Sequence, residues 1–442
     1  MGELVQENAR AVPKSRISRL TKLGALAGKV AGNMLVDGGK ELMKGRKPVV
    51  RDLLISGKNL TQLADKLATM RGAAMKAGQL LSMDVGNLVP EDMAVLLERL
   101  RADAVVMPTV QLLEVLEKNW GESWQDNFQR FSFKPVAAAS IGQVHKGLTQ
   151  DGQTLAIKIQ YPGVRQSIDS DLDNVFGLLR LSGLIPKDID LSPLINEARI
   201  QLKLEADYQH EAQQLANYTD NMASFVRRDE LLLPEYYQTL STDEILCMSY
   251  MHGQSLDKLA FTSQGERNRV VSLMMQLFFA EFLEYGCVQT DPNLANYLYQ
   301  IEMKRLILLD FGATREFSSE FVGRYKAALF AAYIQDRAGL ADALNQLGFF
   351  SQGLDVRNLE MILDIFILAT EPLRFDGAYD FSGSELAQQI RDKGMQMSRE
   401  PDAWHSPPPD ILFLHRKMAG LYLIAAKLNA QVNVKALIST YW

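Results

Sequence analysis

Five polar side chains in this sequence have the types, order and setting of a phosphoryl-transfer site. Lys158 ends the alternating stretch LAIK, and Glu211 lies on the helical stretch that follows. Asp291 and Asn296 stand five residues apart in CVQTDPNLANYLY. Asp310 follows the apolar run LILL and opens DFG, nineteen residues after Asp291. In such a set the lysine neutralises the α and β phosphates and is held by the helix glutamate. The loop aspartate orients the acceptor or serves as base, and the asparagine and the second aspartate hold Mg²⁺. Phosphoryl transfer needs positioning and charge neutralisation, which two carboxylates, one amide and one amine supply. Each piece alone is weak: DFG also occurs as a turn, and a lone strand lysine is usually solvated. The joint order carries the reading.

Ahead of LAIK, where a nucleotide-binding loop is expected to place glycines, the chain reads VAAASIGQVH. Ala137, Ala138 and Ala139 deny the positive φ values that glycine allows and favour helix. The Ser140 hydroxyl and nearby backbone N–H groups can still reach a phosphate. The expectation is a stiffer loop that keeps ATP or ADP while restraining ordinary kinase chemistry; the bland alternative is a buried small-residue turn.

The elements that must position these residues are legible as patterns. Residues 1–130 read as mostly helical. FSFKPVAAASIGQVHKGL and DGQTLAIKIQYPG read as two or three strands around a DG turn. A helical insert near 164–185 precedes one long helix, INEARIQLKLEADYQHEAQQLANYTDNM, and strands return in LLLPEYYQTLSTDEILCMSYM. From about residue 255 the pattern is helical apart from a hairpin-like pair, NYLYQIEMKRLILLDFG. After DFG the chain enters an apparent helix almost at once, and no A-P-E follows, which leaves little room for a peptide-docking segment.

Two further clusters are not ordinary kinase parts. KAGQ gives Lys76, Gly78 and Gln79, with Lys76 and Gln79 on one helix face. LEADYQHEA gives Glu205, Asp207 and Glu211; on a continuous helix Asp207 and Glu211 share a face and Glu205 is turned away from it. Spacing alone reads these as surface charges.

The pieces VPKSRISRLTKLG, KAGQLLSM, VAAASIGQVH, AIKIQYPGV, LEADYQHEA, QTDPNLAN and LLDFGATREF together resemble the UbiB family, the aarF-domain-containing (ADCK) atypical kinases. HRKMAGLYLIAAKL resembles the family's tail, so the resemblance covers nearly the whole chain. QTDPNLAN departs from the HADPHPGN of bacterial UbiB proteins, which places the chain nearer the mitochondrial coenzyme Q branch. The resemblance implies an α+β, bilobal protein-kinase-like fold. Its parts would be a helical N-terminal extension over residues 1–130, an N-lobe over 131–252 and a helical C-lobe over 253–442. It further implies that Lys76 and Gln79 fold over the cleft beside Glu205 and Asp207, blocking the place of a protein substrate. The activity implied is that of an atypical kinase or ATPase that binds Mg-ATP and supports ubiquinone biosynthesis. Its partners would be membrane-bound quinone precursors or the enzymes that make them. Two alternatives stay open: a true small-molecule or lipid kinase, and a nucleotide-binding scaffold or lipid chaperone with negligible catalysis. The intact set speaks against the scaffold, which needs no acceptor-side aspartate.

Bulk properties set the remaining limits. The 442 residues are 47% hydrophobic and 23% charged, with a formal net charge of −6, so general nucleic-acid binding is not expected. From Met1 to Val50, ten Lys/Arg against four Asp/Glu leave a net +6, which suits either an anionic membrane surface or a solvated helix face. Gly24, Gly28 and Gly32 recur every fourth residue, a spacing that permits close helix packing in a membrane, a homodimer or a soluble helix crossing. Two cysteines, Cys247 and Cys287, make no disulfide framework, and the five histidines lack metal-ligand spacing. Neither a signal or transit peptide nor a transmembrane run is evident, so the chain reads as cytoplasmic or membrane-peripheral.

Overall fold

Alternation in TLAIKIQ decides which way Lys158 faces. In the computed structural model, which describes residues 72–73, 106–181, 192–350, 356–398 and 408–442, this segment is strand β4, Thr154–Gln160. Leu155, Ile157 and Ile159 are fully buried on one face, which leaves Lys158 on the other. β4 is a central strand of an antiparallel sheet. It follows β1 (Phe128–Phe131), β2 (Ala137–Ala138) and β3 (Gly142–Thr149), and it pairs with β6 (Ile245–Ser249), which comes after the short β5 (Leu231–Leu232). The sheet order is β1-β3-β4-β6, with β2 also pairing on β3. The turn between β3 and β4 contains Gly152 at φ +85, a conformation glycine adopts at no steric cost.

Helix α1, Thr109–Trp120, covers the apolar face of this sheet. Its buried Leu112, Val115 and Leu116 lie at helical spacing and pack with Trp124, Phe128, Leu155, Ile157, Ile159 and Ile245. Each such side chain contributes roughly 1.5–3 kcal/mol on burial. The core face of β3 also carries two polar residues, Gln143 and His145, and both are satisfied. His145 Nδ1 donates to the Ser132 carbonyl at 2.7 Å, which leaves Nε2 as acceptor for the Gln143 amide at 2.7 Å. Gln143 Oε1 in turn accepts from Met107 N at 3.0 Å. Burial lowers the His145 pKa to about 4, in keeping with a neutral ring used as a structural clasp.

Gly142 has a steric role in the same hairpin. A Cβ there would lie 2.3 Å from the Ile159 carbonyl oxygen, on backbone that cannot swing aside. Gly142→Ala should therefore prise β3 from β4 and cost about 3 kcal/mol. Chemical denaturation checks this, and a variant as stable as the parent would refute the close-approach account.

The chain forms two compact units, residues 1–212 with 235–250 and residues 213–234 with 251–442. In the first, α2 (Val164–Leu181) and α3 (Ser192–Glu205) accompany the sheet, and α4 (Tyr208–Met222) carries the chain into the second. The single long helix expected over 195–222 is thus two helices. Asp207 stops the first and caps the second, its Oδ1 accepting from His210 N at 3.1 Å. The helix-face relation expected between Asp207 and Glu211 is lost with the break.

The second unit is mostly helical, with more strand than the single hairpin expected after residue 255. Helix α5, Gln264–Phe279, starts at Ser263, whose hydroxyl accepts from Glu266 N, and buries eight apolar residues. It runs into a π-helical turn, Ala280–Glu284, that places Glu281 in the core. A four-stranded sheet has the order β5-β10-β9-β7, with β7 Gln254–Ser255, β9 Tyr297–Gln300 and β10 Arg305–Leu308. A separate pair joins β8 (Cys287–Gln289) to β11 (Thr314–Glu316). Helices α6 (Ser319–Tyr333), α7 (Arg337–Gln346), α8 (Val356–Ala369), α9 (Glu371–Arg374), α10 (Leu386–Ser398), α11 (Pro409–Lys427) and α12 (Val434–Ile438) follow, with β12 (Tyr379–Asp380) and β13 (Gln431–Val432) paired among them. Among the described residues no helix is long and apolar enough to cross a membrane.

Candidate functional site

In the first unit, Lys158 Nζ makes a direct ion pair with Glu211 Oε1, with the side chains only 12% and 5% exposed. Two features of the sequence bring them together. The strand alternation turns Lys158 off the core face, and the cap at Asp207 starts α4 so that Glu211 falls in its first turn. Low exposure strengthens the pair relative to a surface one, and it fixes the ammonium in one place.

The alanine run is not helical. Ala137 and Ala138 form β2, opposite Val144 and Gln143, and Ala139 N donates to the Gly142 carbonyl at 2.9 Å. Pairing with β3 overrides alanine's helix preference. The run is exposed rather than buried, which removes the small-residue-turn alternative, and none of its residues has positive φ. Ser140 Oγ donates to Glu205 Oε2 at 2.5 Å, so the hydroxyl expected to face a phosphate is engaged by the carboxylate that ends α3. A Cβ on Gly72 would lie 2.9 Å from the Ser140 carbonyl oxygen, so the helical residue Gly72 abuts this turn. Lys76, Gly78 and Gln79 lie outside the described residues, as do Gly24, Gly28 and Gly32.

In the second unit, strand pairing brings Asp291, Asn296 and Asp310 into one neighbourhood. Leu308 pairs with Tyr297, and Leu309 N donates to the Asn296 carbonyl at 2.9 Å, so Asn296 and Asp310 flank the end of the β9–β10 hairpin. On the other side, Gln289 pairs with Thr314, and Thr290 Oγ1 donates to the Ala313 carbonyl at 2.7 Å. The loop 290–296 and the segment 310–313 are therefore fastened together at both ends. Asn296 Nδ2 donates to Asp291 Oδ2 at 2.9 Å. Asp310 Oδ1 accepts from Gly312 N at 3.0 Å, and Phe311 is buried with its ring centroid 5.1 Å from that of Tyr218. The helix expected soon after DFG is α6, capped by Ser318, and only the three-residue β11 intervenes.

Sequence reasoning missed the residues that hold this loop from beneath. Lys417 on α11 donates to Gln289 Oε1 at 3.0 Å and to Tyr297 OH at 2.7 Å, just before and just after the loop. It lies 3.9 Å from Glu281 Oε2, with side-chain exposures of 3% and 0%. Tyr218 OH donates to Glu281 Oε1 at 2.6 Å. Burial works to lower the Lys417 pKa, but Tyr297, Glu281 and Asp291 together hold it above its ordinary value, so the ammonium stays charged. Arg416 pairs with Asp291 at 2.8 Å. The available signal was HRK inside an otherwise apolar helix, where buried cations need partners.

Mg²⁺ fits the donor set. A phosphate-bound Mg²⁺ needs only one or two protein ligands and keeps several waters, and Asn296 with Asp310 offers one amide oxygen and one carboxylate. Among the described residues no cluster of three or more His, Cys, Asp or Glu forms a metal site of its own.

Known proteins resemble this chain in sequence and in fold. The sequence pattern of the ABC1 atypical kinase-like domain matches residues 99–344. "Atypical kinase COQ8, mitochondrial" of Saccharomyces cerevisiae is 36% identical over 427 residues, covering 96% of this chain and 84% of the yeast protein. "Atypical kinase COQ8B, mitochondrial" of Rattus norvegicus is 34% identical over 447 residues, covering 98% and 82%. Among solved structures, the Rv3197–erythromycin complex from Mycobacterium tuberculosis aligns with a TM-score of 0.58 at 23% identity. The alignment covers 86% of this chain and 95% of that one, and it supports the kinase-like α+β fold. With the motif set, the fold and the match over most of its length in agreement, this chain belongs to the ABC1 atypical kinase-like family, in its COQ8 branch.

Proposed function

We propose that this chain is an atypical kinase or ATPase that binds Mg-ATP and supports ubiquinone biosynthesis, acting on or beside membrane-bound quinone precursors or their enzymes. The observation that carries the catalytic reading is the formed Lys158–Glu211 ion pair. An ammonium already fixed by a carboxylate costs no rearrangement when it meets the α and β phosphates. Asp291 orients the acceptor or water, and Asn296 holds one of its oxygens in place. Asn296 and Asp310 would hold Mg²⁺; the bound ion neutralises phosphate charge as a Lewis acid.

Between Asp310 and the cap of α6 at Ser318 only seven residues intervene, which gives a peptide substrate little to dock on. A small acceptor or water suits this better than a protein hydroxyl. The likeness to the COQ8 proteins supports the quinone pathway, and the net +6 of residues 1–50 supports action at an anionic membrane surface. One observation favours a second reading, a nucleotide-binding scaffold with negligible catalysis: Ser140 donates to Glu205 instead of standing open to a phosphate.

Quinone profiling tests the proposal. Cells lacking this chain should lose ubiquinone and accumulate an early precursor. The wild type should restore it, and Asp291→Asn should not. Unchanged quinone in the deletion would sink the pathway assignment, and full rescue by Asp291→Asn would favour the scaffold.

A further inference from the structure

The C-terminal helix α11 reaches the Asp291 loop at consecutive points. Arg416 Nη2 donates to Asp291 Oδ1 at 2.8 Å, with side-chain exposures of 9% and 23%. Lys417 holds Gln289 and Tyr297 on either side of the loop. Gly420, one turn beyond Arg416, lies against Pro292: a Cβ there would come within 2.2 Å of Pro292 Cβ. Since Asn296 Nδ2 occupies Asp291 Oδ2, each oxygen of the carboxylate has its own donor, one inside the loop and one on α11. The carboxylate cannot turn about its Cβ–Cγ bond without losing a charge-assisted hydrogen bond. Each oxygen keeps a further lone pair for an acceptor hydroxyl or water.

We propose that Arg416 is a positioning residue for Asp291, fixing from α11 the orientation in which the carboxylate meets the phosphoryl acceptor. The inference rests on the reading of Asp291 as the acceptor-side residue. Arg416 touches neither nucleotide nor metal in this scheme, so its loss should fall on turnover and spare nucleotide binding. A misplacement of about 1 Å at a reacting group costs on the order of 100-fold in rate, which sets the scale.

The test uses the full chain with Mg-ATP, measuring steady-state turnover, nucleotide affinity and the unfolding midpoint. Arg416→Ala should lower kcat by about 10- to 100-fold while KM for ATP stays within about twofold. Arg416→Lys, which keeps the charge but loses the planar fork, should fall between. Added ethylguanidinium should recover part of the Arg416→Ala rate. Wild-type kcat in Arg416→Ala overturns the proposal. So does a parallel fall in kcat, nucleotide affinity and unfolding midpoint in both variants, with no recovery by ethylguanidinium, because that is the signature of a merely structural contact. Asp291→Asn, run alongside, separates the two levels. If it turns over at the wild-type rate, the acceptor-side reading fails and takes this inference with it. If it is impaired and Arg416→Ala is not, only the positioning role fails.

Discussion

Asp310→Asn should lower Mg-dependent nucleotide turnover at least about 100-fold while leaving the fold intact. The substitution keeps the size of the side chain and keeps an Oδ1 that accepts from Gly312 N, so the hydrogen bond that shapes the turn after β10 is retained. Phe311 stays buried beside Tyr218, and the β9–β10 and β8–β11 pairings do not involve the side chain. What is lost is the negative charge. With Asn296 as the other proposed ligand, two neutral amides replace an amide and a carboxylate, and a hard divalent cation is held far less well. Turnover measured against Mg²⁺ concentration should show a lower maximum and a weaker metal dependence, with unfolding within about 1 kcal/mol of the parent. Equal turnover in the two proteins, with and without membranes, would remove Asp310 from the catalytic set and favour the scaffold reading.

Lys417→Met should be the most damaging single change to stability in the second unit. Lys417 and Glu281 are both fully enclosed, and Glu281 Oε2 has no hydrogen bond among the described residues; the Lys417 charge at 3.9 Å is its nearest compensation. Removing one member of a buried pair leaves the other uncompensated, at a cost of about 3–5 kcal/mol. The bonds from Lys417 to Gln289 and Tyr297 go with it, so the loop between them should loosen and turnover should fall as well. Burial already pushes the Glu281 pKa up against the pull of Lys417, and without Lys417 the carboxyl is expected to become neutral. The double variant Lys417→Met, Glu281→Gln should therefore regain at least half of the lost stability without regaining activity. Denaturant titration of the two single variants and the double decides it, and a Lys417→Met protein within about 1 kcal/mol of the parent would show that the pair is not a keystone.

The five residues proposed as the catalytic set are legible in the sequence because their signals are local. Alternation in LAIK marked a strand that ends on Lys158, LILL followed by DFG marked a buried strand that delivers a carboxylate, and the polar stretch QTDPNLAN between apolar segments marked a loop. Three local readings failed for equally physical reasons. Alanine's preference for helix yielded to cross-strand pairing with Val144 and Gln143. The apolar periodicity of residues 195–222 runs unbroken through Asp207, where a capping hydrogen bond ends one helix and starts another. The helical pattern after residue 255 also concealed β8 and β11, three-residue strands too short to show a period of two.

By itself the sequence determined the reaction class and the family, and it singled out the five polar residues proposed to carry the chemistry, because residue type and order along the chain are enough to specify a set of charges. Only the tertiary structure decided what holds those charges still. Arg416 and Lys417 stand more than 100 residues from Asp291 and Gln289, and nothing in local spacing can announce that a cation on one helix will neutralise a carboxylate on a distant loop. That pairing arises when α11 packs beneath the loop and takes Arg416 and Lys417 largely out of water, so that their charges must be met by polar groups of the loop and the core around it.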